Sequence, residues 1–154
     1  MSRSENKQKR LLFIGSGNIA NAVACGLVSS GVVPSEYVTV YNRNSNKFAP
    51  FQKLGIKTSL DLNEATENCD MIFLAVKPAI VKDVIEQLAK IEGLLERALI
   101  VSFAASVSIE HIERYANKEL SVIRTMPSTP ILIGEGVISV SKNDRVDAKD
   151  FMKR

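Results

Sequence analysis

Cysteine and histidine are scarce in this sequence of 154 residues, with two of the first and one of the second. Cys25 and Cys69 match no metal-ligand or redox spacing, so they read as reduced, buried small residues of a cytoplasmic chain. The one histidine, His111, falls between Glu110 and Glu113 in a helical stretch, which makes it a surface residue rather than a general acid. A Ser-His-Asp arrangement, a metal-binding cluster and a GxxxxGK[ST] phosphate loop are all missing. No segment approaches the ~20 apolar residues a bilayer span requires, and the polar opening decapeptide lacks the apolar stretch of a secretory signal. Membrane association is therefore not expected. Nor is there a basic face interleaved with aromatics. The net charge of +3 owes much to the first ten residues, and nucleic acid is not an expected partner.

Hydrophobic residues make up 45% and charged residues 24% of the chain. That balance and length suit one compact domain burying roughly 70% of its unfolded surface. Leu11-Leu12-Phe13-Ile14 is a short apolar run ended by glycine, as in a strand buried on both faces of a parallel sheet. Ala20, Val23, Ala24 and Leu27 then recur at helical spacing, and Gly31 is placed to end that helix. Residues 37–41 read as a second strand and residues 48–54 as a short helix stopping at Gly55. A weak third strand and a polar helix over residues 62–68 come next. Residues 71–76 form another continuous apolar strand, and Pro78 opens a helix with Val81, Val84, Ile85 and Leu88 on its buried stripe. Residues 98–103 return as strand, Ile109 and Ile112 mark a helix after Ser108, and residues 120–124 and 136–140 read as strands around a proline-containing loop.

Strand and helix alternate throughout, which predicts an α/β fold of Rossmann type: a doubly wound, mostly parallel sheet in a single domain. The expected boundaries are a polar tail over residues 1–8, the domain over 9–141, and an extension over 142–154.

The chemistry concentrates at the strand ends. Gly15-Ser16-Gly17-Asn18-Ile19-Ala20 is a GxGxxA fingerprint between the first strand and first helix. In that setting the first glycine permits a tight turn, the second lets the backbone approach a pyrophosphate, and helix amides bind the phosphates. An acidic residue at the end of the second strand would bond the ribose 2′-hydroxyl of NAD; none is present. Asn42, Arg43, Asn44 and Ser45 stand there instead, with Lys47 close by, so a 2′-phosphate is welcome and NADP(H) is expected over NAD(H). Ala75, Val76, Lys77 and Pro78 lie at the carboxyl end of a central strand, where open α/β sheets bind ligands. Backbone there would line a nicotinamide ribose, though Lys77 reads equally as a plain surface lysine. Phe103, Ala104 and Ala105 hold the corresponding end of the next strand; their small side chains serve ring approach or helix packing alike.

Taken together, four stretches resemble the pyrroline-5-carboxylate reductase family: residues 13–20, residues 73–78 (FLAVKP), residues 101–105 with Val107 and Ser108, and residues 122–130 followed by Gly134-Glu135-Gly136. The fingerprint is shared by many NAD(P) enzymes, whereas AVKP and MPxTP in this order are more particular. The resemblance implies hydride transfer from NAD(P)H to a small-molecule cyclic imine carboxylate, giving L-proline. It also implies cofactor contacts from residues 75–78 and 103–105. Ser106 replaces a usual glycine and Ser128 a usual asparagine. Such relatives continue into a helical domain that forms the dimer and the substrate pocket, with SGSGPA and PGGTT stretches that do not occur here. The expectation is thus a cofactor domain excised from such an enzyme or a shortened homologue, with homo-oligomerisation left open. No residue emerges as catalytic. A non-catalytic NADP(H)-binding sensor or partner subunit is the alternative.

Overall fold

The computed structural model of the chain describes residues 8–104, 106–127 and 138–142. Its seven-stranded sheet comprises β1 (Leu11–Ile14), β2 (Val38–Tyr41), β3 (Lys57–Ser59), β4 (Met71–Leu74), β5 (Leu99–Ser102), β6 (Ser121–Pro127) and β7 (Ile138–Lys142). The helices are α1 (Asn18–Ser29), α2 (Ala49–Lys53), α3 (Leu62–Ala65), α4 (Pro78–Ala89), α5 (Leu94–Arg97) and α6 (Ile109–Ala116), with a single 3₁₀ turn at Ser35–Tyr37. Strands run in the order β3-β2-β1-β4-β5-β6-β7. All neighbours pair in parallel except β6 and β7, which are antiparallel.

Why the central strands are apolar throughout follows from the two faces. Alternate residues of β1 and β4 split between two cores. Leu12, Ile14, Ile72 and Leu74 pack with Ile100 and Val122 against residues of α4, α5 and α6. Leu11, Phe13 and Phe73 pack with Val101 and Phe103 against α1 and α2. On this second face Phe13 and Phe73 stack with centroids 4.4 Å apart, and Phe73 and Phe103 lie 6.0 Å apart. This aromatic row ties three adjacent strands together just beneath the sheet's carboxyl edge. Helix α4 buries Val81, Val84, Ile85 and Leu88, the four residues its periodicity marks. Phe51, fully buried, holds the short α2 on the sheet, and its truncation to alanine would cost about 3–5 kcal/mol.

Several boundaries differ from the sequence reading, each for a local reason. Residues 62–68 make only the four-residue α3, because Asp61 caps its start while Asn68 adopts a positive φ of 61°. Strand β6 continues to Pro127, since β7 pairs with Met126 and Pro127; those two residues are strand, not loop. Lys142 ends β7 opposite Ile123, so it belongs to the sheet rather than to an extension. The 3₁₀ turn and α5 carry too few residues to show periodicity. The tail residues 1–7, the loop residues 128–135, Gly136 and Val137 at the start of the expected last strand, and residues 143–154 lie outside the described residues.

Candidate functional site

Chain order reverses between β1 and β4: β2 and β3 follow on one side of β1, β4 and β5 on the other. The loops leaving the carboxyl ends of those two strands must diverge, which opens a crevice at the switch point. A cavity of about 370 Å³ lies there. Gly15, Ser16 and Gly17 line it from the β1–α1 turn, and Asn42, Arg43, Asn44, Asn46 and Lys47 from the β2–α2 turn. Ala75, Val76 and Lys77 line it from the end of β4. Nine of the fifteen residues singled out in the sequence therefore meet around one space.

The two glycines are there for different reasons. Gly15 has φ of +111°, and a Cβ on it would lie 2.8 Å from the carbonyl carbon of Ala75 and 3.2 Å from Val76 Cγ1. Glycine at 15 is thus required by the protein itself, as the place where the turns after β1 and β4 touch. Gly17 has φ of −82° and ψ of −159°, which any residue can adopt, and a Cβ on it would meet nothing within 4 Å. Neither conformation nor packing in the protein calls for glycine at 17. Open space beside it does if a ligand's backbone contact is made there. Gly17 also caps the N-terminus of α1, whose first turn carries no side-chain cap and no acidic residue. Its leading amides have no intrahelical partner and a partial positive field that favours an anion.

Hydrogen bonds fix the turns relative to each other. Gly15 N–H donates to Tyr41 O at 2.8 Å, and Asn42 N–H to Ser59 O at 3.3 Å. The Asn42 side-chain amide Nδ2 donates to Ser16 Oγ at 2.8 Å, and Ser16 is only 5% exposed. Beyond Asn42 the chain folds tightly, with Asn46 N–H bonded to Asn44 Oδ1 and Phe48 N–H to Ser45 O. The tight turn leaves Arg43 and Lys47 exposed at its two ends, beside the crevice. Together with Lys77 they set three cations against one lining carboxylate, Asp83.

The remaining sequence candidates lie elsewhere. Asn18 opens α1 and is exposed, Ile19 packs into the second core, and Pro78 is the exposed first residue of α4. Phe103 is spent on the aromatic row, and Ala104 is buried with its N–H bonded to Ser102 Oγ. Ala105 lies outside the described residues. Residues that sequence reasoning missed also line the crevice, among them Tyr41, Leu62, Ile80, Asp83, Val84 and Gln87. Ile80, Asp83, Val84 and Gln87 fall at i, i+3, i+4 and i+7 of α4, a stripe next to the buried one, and that periodicity was the available signal.

His111 is exposed, and its backbone N–H and Nδ1 both meet Ser108 Oγ, the cap of α6. Both cysteines are free; Cys69 is buried and Cys25 only half-buried. Among the described residues no helix is long and apolar enough to cross a membrane, and no three His, Cys, Asp or Glu residues group to hold a metal.

A doubly wound sheet in this strand order, with a glycine turn opening on its switch-point crevice, defines a Rossmann-type domain. Residues 10–106 match the family described as NADP oxidoreductase coenzyme F420-dependent, and the chain belongs to it. Within that family it is similar to pyrroline-5-carboxylate reductase from Escherichia coli K12, at 34% identity over 144 residues, covering 93% of this chain and 53% of the relative. A solved pyrroline-5-carboxylate reductase from Coxiella burnetii superposes with a TM-score of 0.86 at 32% identity, covering 94% of this chain and 53% of that one. The Plasmodium falciparum pyrroline carboxylate reductase, solved with NADP bound, gives a TM-score of 0.78 at 26% identity, covering 93% and 51%. The chain thus spans about half the length of the relatives it matches.

Proposed function

We propose that this chain binds NADP(H) in the switch-point crevice and serves as the cofactor-holding part of a pyrroline-5-carboxylate reductase. The observation that carries the reading is Gly17, a glycine with ordinary backbone and empty space around it at the uncapped start of α1. A dinucleotide diphosphate would fill that space and meet the helix amides. Arg43 and Lys47 would receive the 2′-phosphate, whose two negative charges find two cations and no carboxylate on the β2–α2 turn. This arrangement favours NADPH over NADH. The apolar side chains of Leu62, Ile80 and Val84 would wall the adenine end.

Ala75, Val76 and Lys77, at the carboxyl end of β4, would line the nicotinamide ribose, with the end of the neighbouring β5 beyond them. When bound, NADPH would supply the hydride for reducing the C=N bond of 1-pyrroline-5-carboxylate, with a proton added at nitrogen, to give L-proline and NADP⁺. The chain's own residues contribute to this mainly by position: the rigid sheet edge fixes the donor ring so that an imine can be held against it. NADPH oxidation followed with pyrroline-5-carboxylate tests the substrate assignment. Imine-dependent oxidation by this chain, alone or mixed with the substrate-binding half of a related reductase, supports the reading; NADPH binding with no imine-dependent oxidation under either condition would refute the substrate and leave a cofactor-binding module.

A further inference from the structure

The sequence fingerprint treats Ser16 as a spacer and Asn42 as a member of the cofactor turn, yet the structure joins the two side chains. Asn42 Nδ2 donates to Ser16 Oγ at 2.8 Å, across 26 residues of sequence. Ser16 is 95% buried by its 5% exposure and still lines the crevice. A serine hydroxyl has one proton to give and two lone pairs. With one lone pair taken by an amide N–H, the proton must point away from Asn42. No acceptor receives it among the described residues, and Ser16 lines the crevice.

We propose that Asn42 is a positioning residue: by donating to Ser16 Oγ, its amide turns the Ser16 hydroxyl into a donor aimed at a diphosphate oxygen in the crevice. The proposal rests on the dinucleotide reading above and assigns a role within it. Asn42 sits at the end of β2 and Ser16 in the turn after β1, while Gly15 N–H bonds to Tyr41 O one residue before Asn42. Main chain and side chain therefore hold the glycine turn to the β2 end at adjacent points. The amide also sets polarity. A carboxylate at 42 would accept rather than donate, and the Ser16 proton would turn back toward it, presenting lone pairs to the phosphate.

Four versions of the full 154-residue chain decide the matter: unsubstituted, Ser16→Ala, Asn42→Asp and the double substitution, each titrated with NADPH and with NADH. Asn42→Asp is isosteric and keeps a hydrogen bond to Ser16, so the turn stays formed. Loss of the serine donor to a charged oxygen is expected to weaken binding about tenfold. That loss should be the same for NADPH and NADH, which share the diphosphate. A loss confined to NADPH would put Ser16 at the other phosphate and overturn the proposal. The added charge of Asn42→Asp acts in both backgrounds, but the reversed hydroxyl exists only when Ser16 is present. Affinity should accordingly fall about tenfold further on Asn42→Asp in the Ser16 background than in the Ser16→Ala background. Equal losses would mean simple charge repulsion and would overturn the proposal while leaving the dinucleotide reading intact. Failure of the unsubstituted chain to take up either nucleotide would overturn both.

Discussion

Substituting alanine at each of the two fingerprint glycines should separate folding from binding. At Gly15 the added methyl group meets the Ala75 carbonyl group, with its carbon 2.8 Å away, and the residue must hold φ of +111°. Left-handed strain of about 1–2 kcal/mol and a backbone overlap of about 1–3 kcal/mol sum to about 2–5 kcal/mol. A domain of this size would then melt about 4–20 °C lower. At Gly17 the methyl group meets no protein atom within 4 Å, and φ of −82° is ordinary. The ligand-free chain should therefore keep its stability within about 1 kcal/mol. NADPH, however, would find the methyl group where its diphosphate must approach the backbone, and affinity should drop about a hundredfold, or about 2.7 kcal/mol. Thermal melting without ligand and a fluorescence titration with NADPH, on both variants, give the four numbers needed. Gly17→Ala melting as low as Gly15→Ala, or binding NADPH as well as the parent, would refute the reasoning.

Other perturbations have equally definite outcomes. Arg43→Ala should weaken NADPH binding about tenfold or more while leaving NADH within about twofold, because only NADPH carries the extra phosphate; equal losses in parallel titrations would remove Arg43 from that role. Burial pushes the Cys69 thiol from 9.0 to about 11, with the Arg97 guanidinium only partly opposing it. Between those values the unfolded chain loses this proton and the folded one keeps it, so stability falls as pH rises from about 9 toward about 11. In Cys69→Ala that part of the alkaline fall, on the order of 2 kcal/mol, should vanish from urea unfolding curves, and an unchanged slope would contradict the assignment. Asp61 caps α3 through bonds to Asn63 N–H and Glu64 N–H. Asp61→Ala should cost about 1 kcal/mol of unfolding free energy without altering NADPH affinity.

How much of this was legible beforehand varies with the physics of each element. β1 and β4 announce themselves because burial on both faces leaves no polar position, and α4 because one stripe of four residues is fully buried. Its second stripe, from Ile80 to Gln87, carries no clear signal because it mixes apolar and charged residues, as the wall of an open crevice does. The fingerprint predicted where Gly15 and Gly17 would sit, but not that one answers to packing and the other to empty space. Phe103 illustrates the opposite limit: its place at a strand end pointed to the site, while its ring completes an aromatic row inside the core. The bond from Asn42 to Ser16 depends on the pairing of β1 with β2, a contact that no local pattern encodes.

The central claim is spatial, and backbone amide NMR of the isotopically labelled chain during addition of NADPH tests it most directly. Resonances of residues 15–18, 42–47 and 75–77 should shift together and saturate at one equivalent, while those of α6, which contributes no residue to the crevice, stay in place. Shifts scattered over the surface, or spectra unchanged at saturating NADPH, would contradict it.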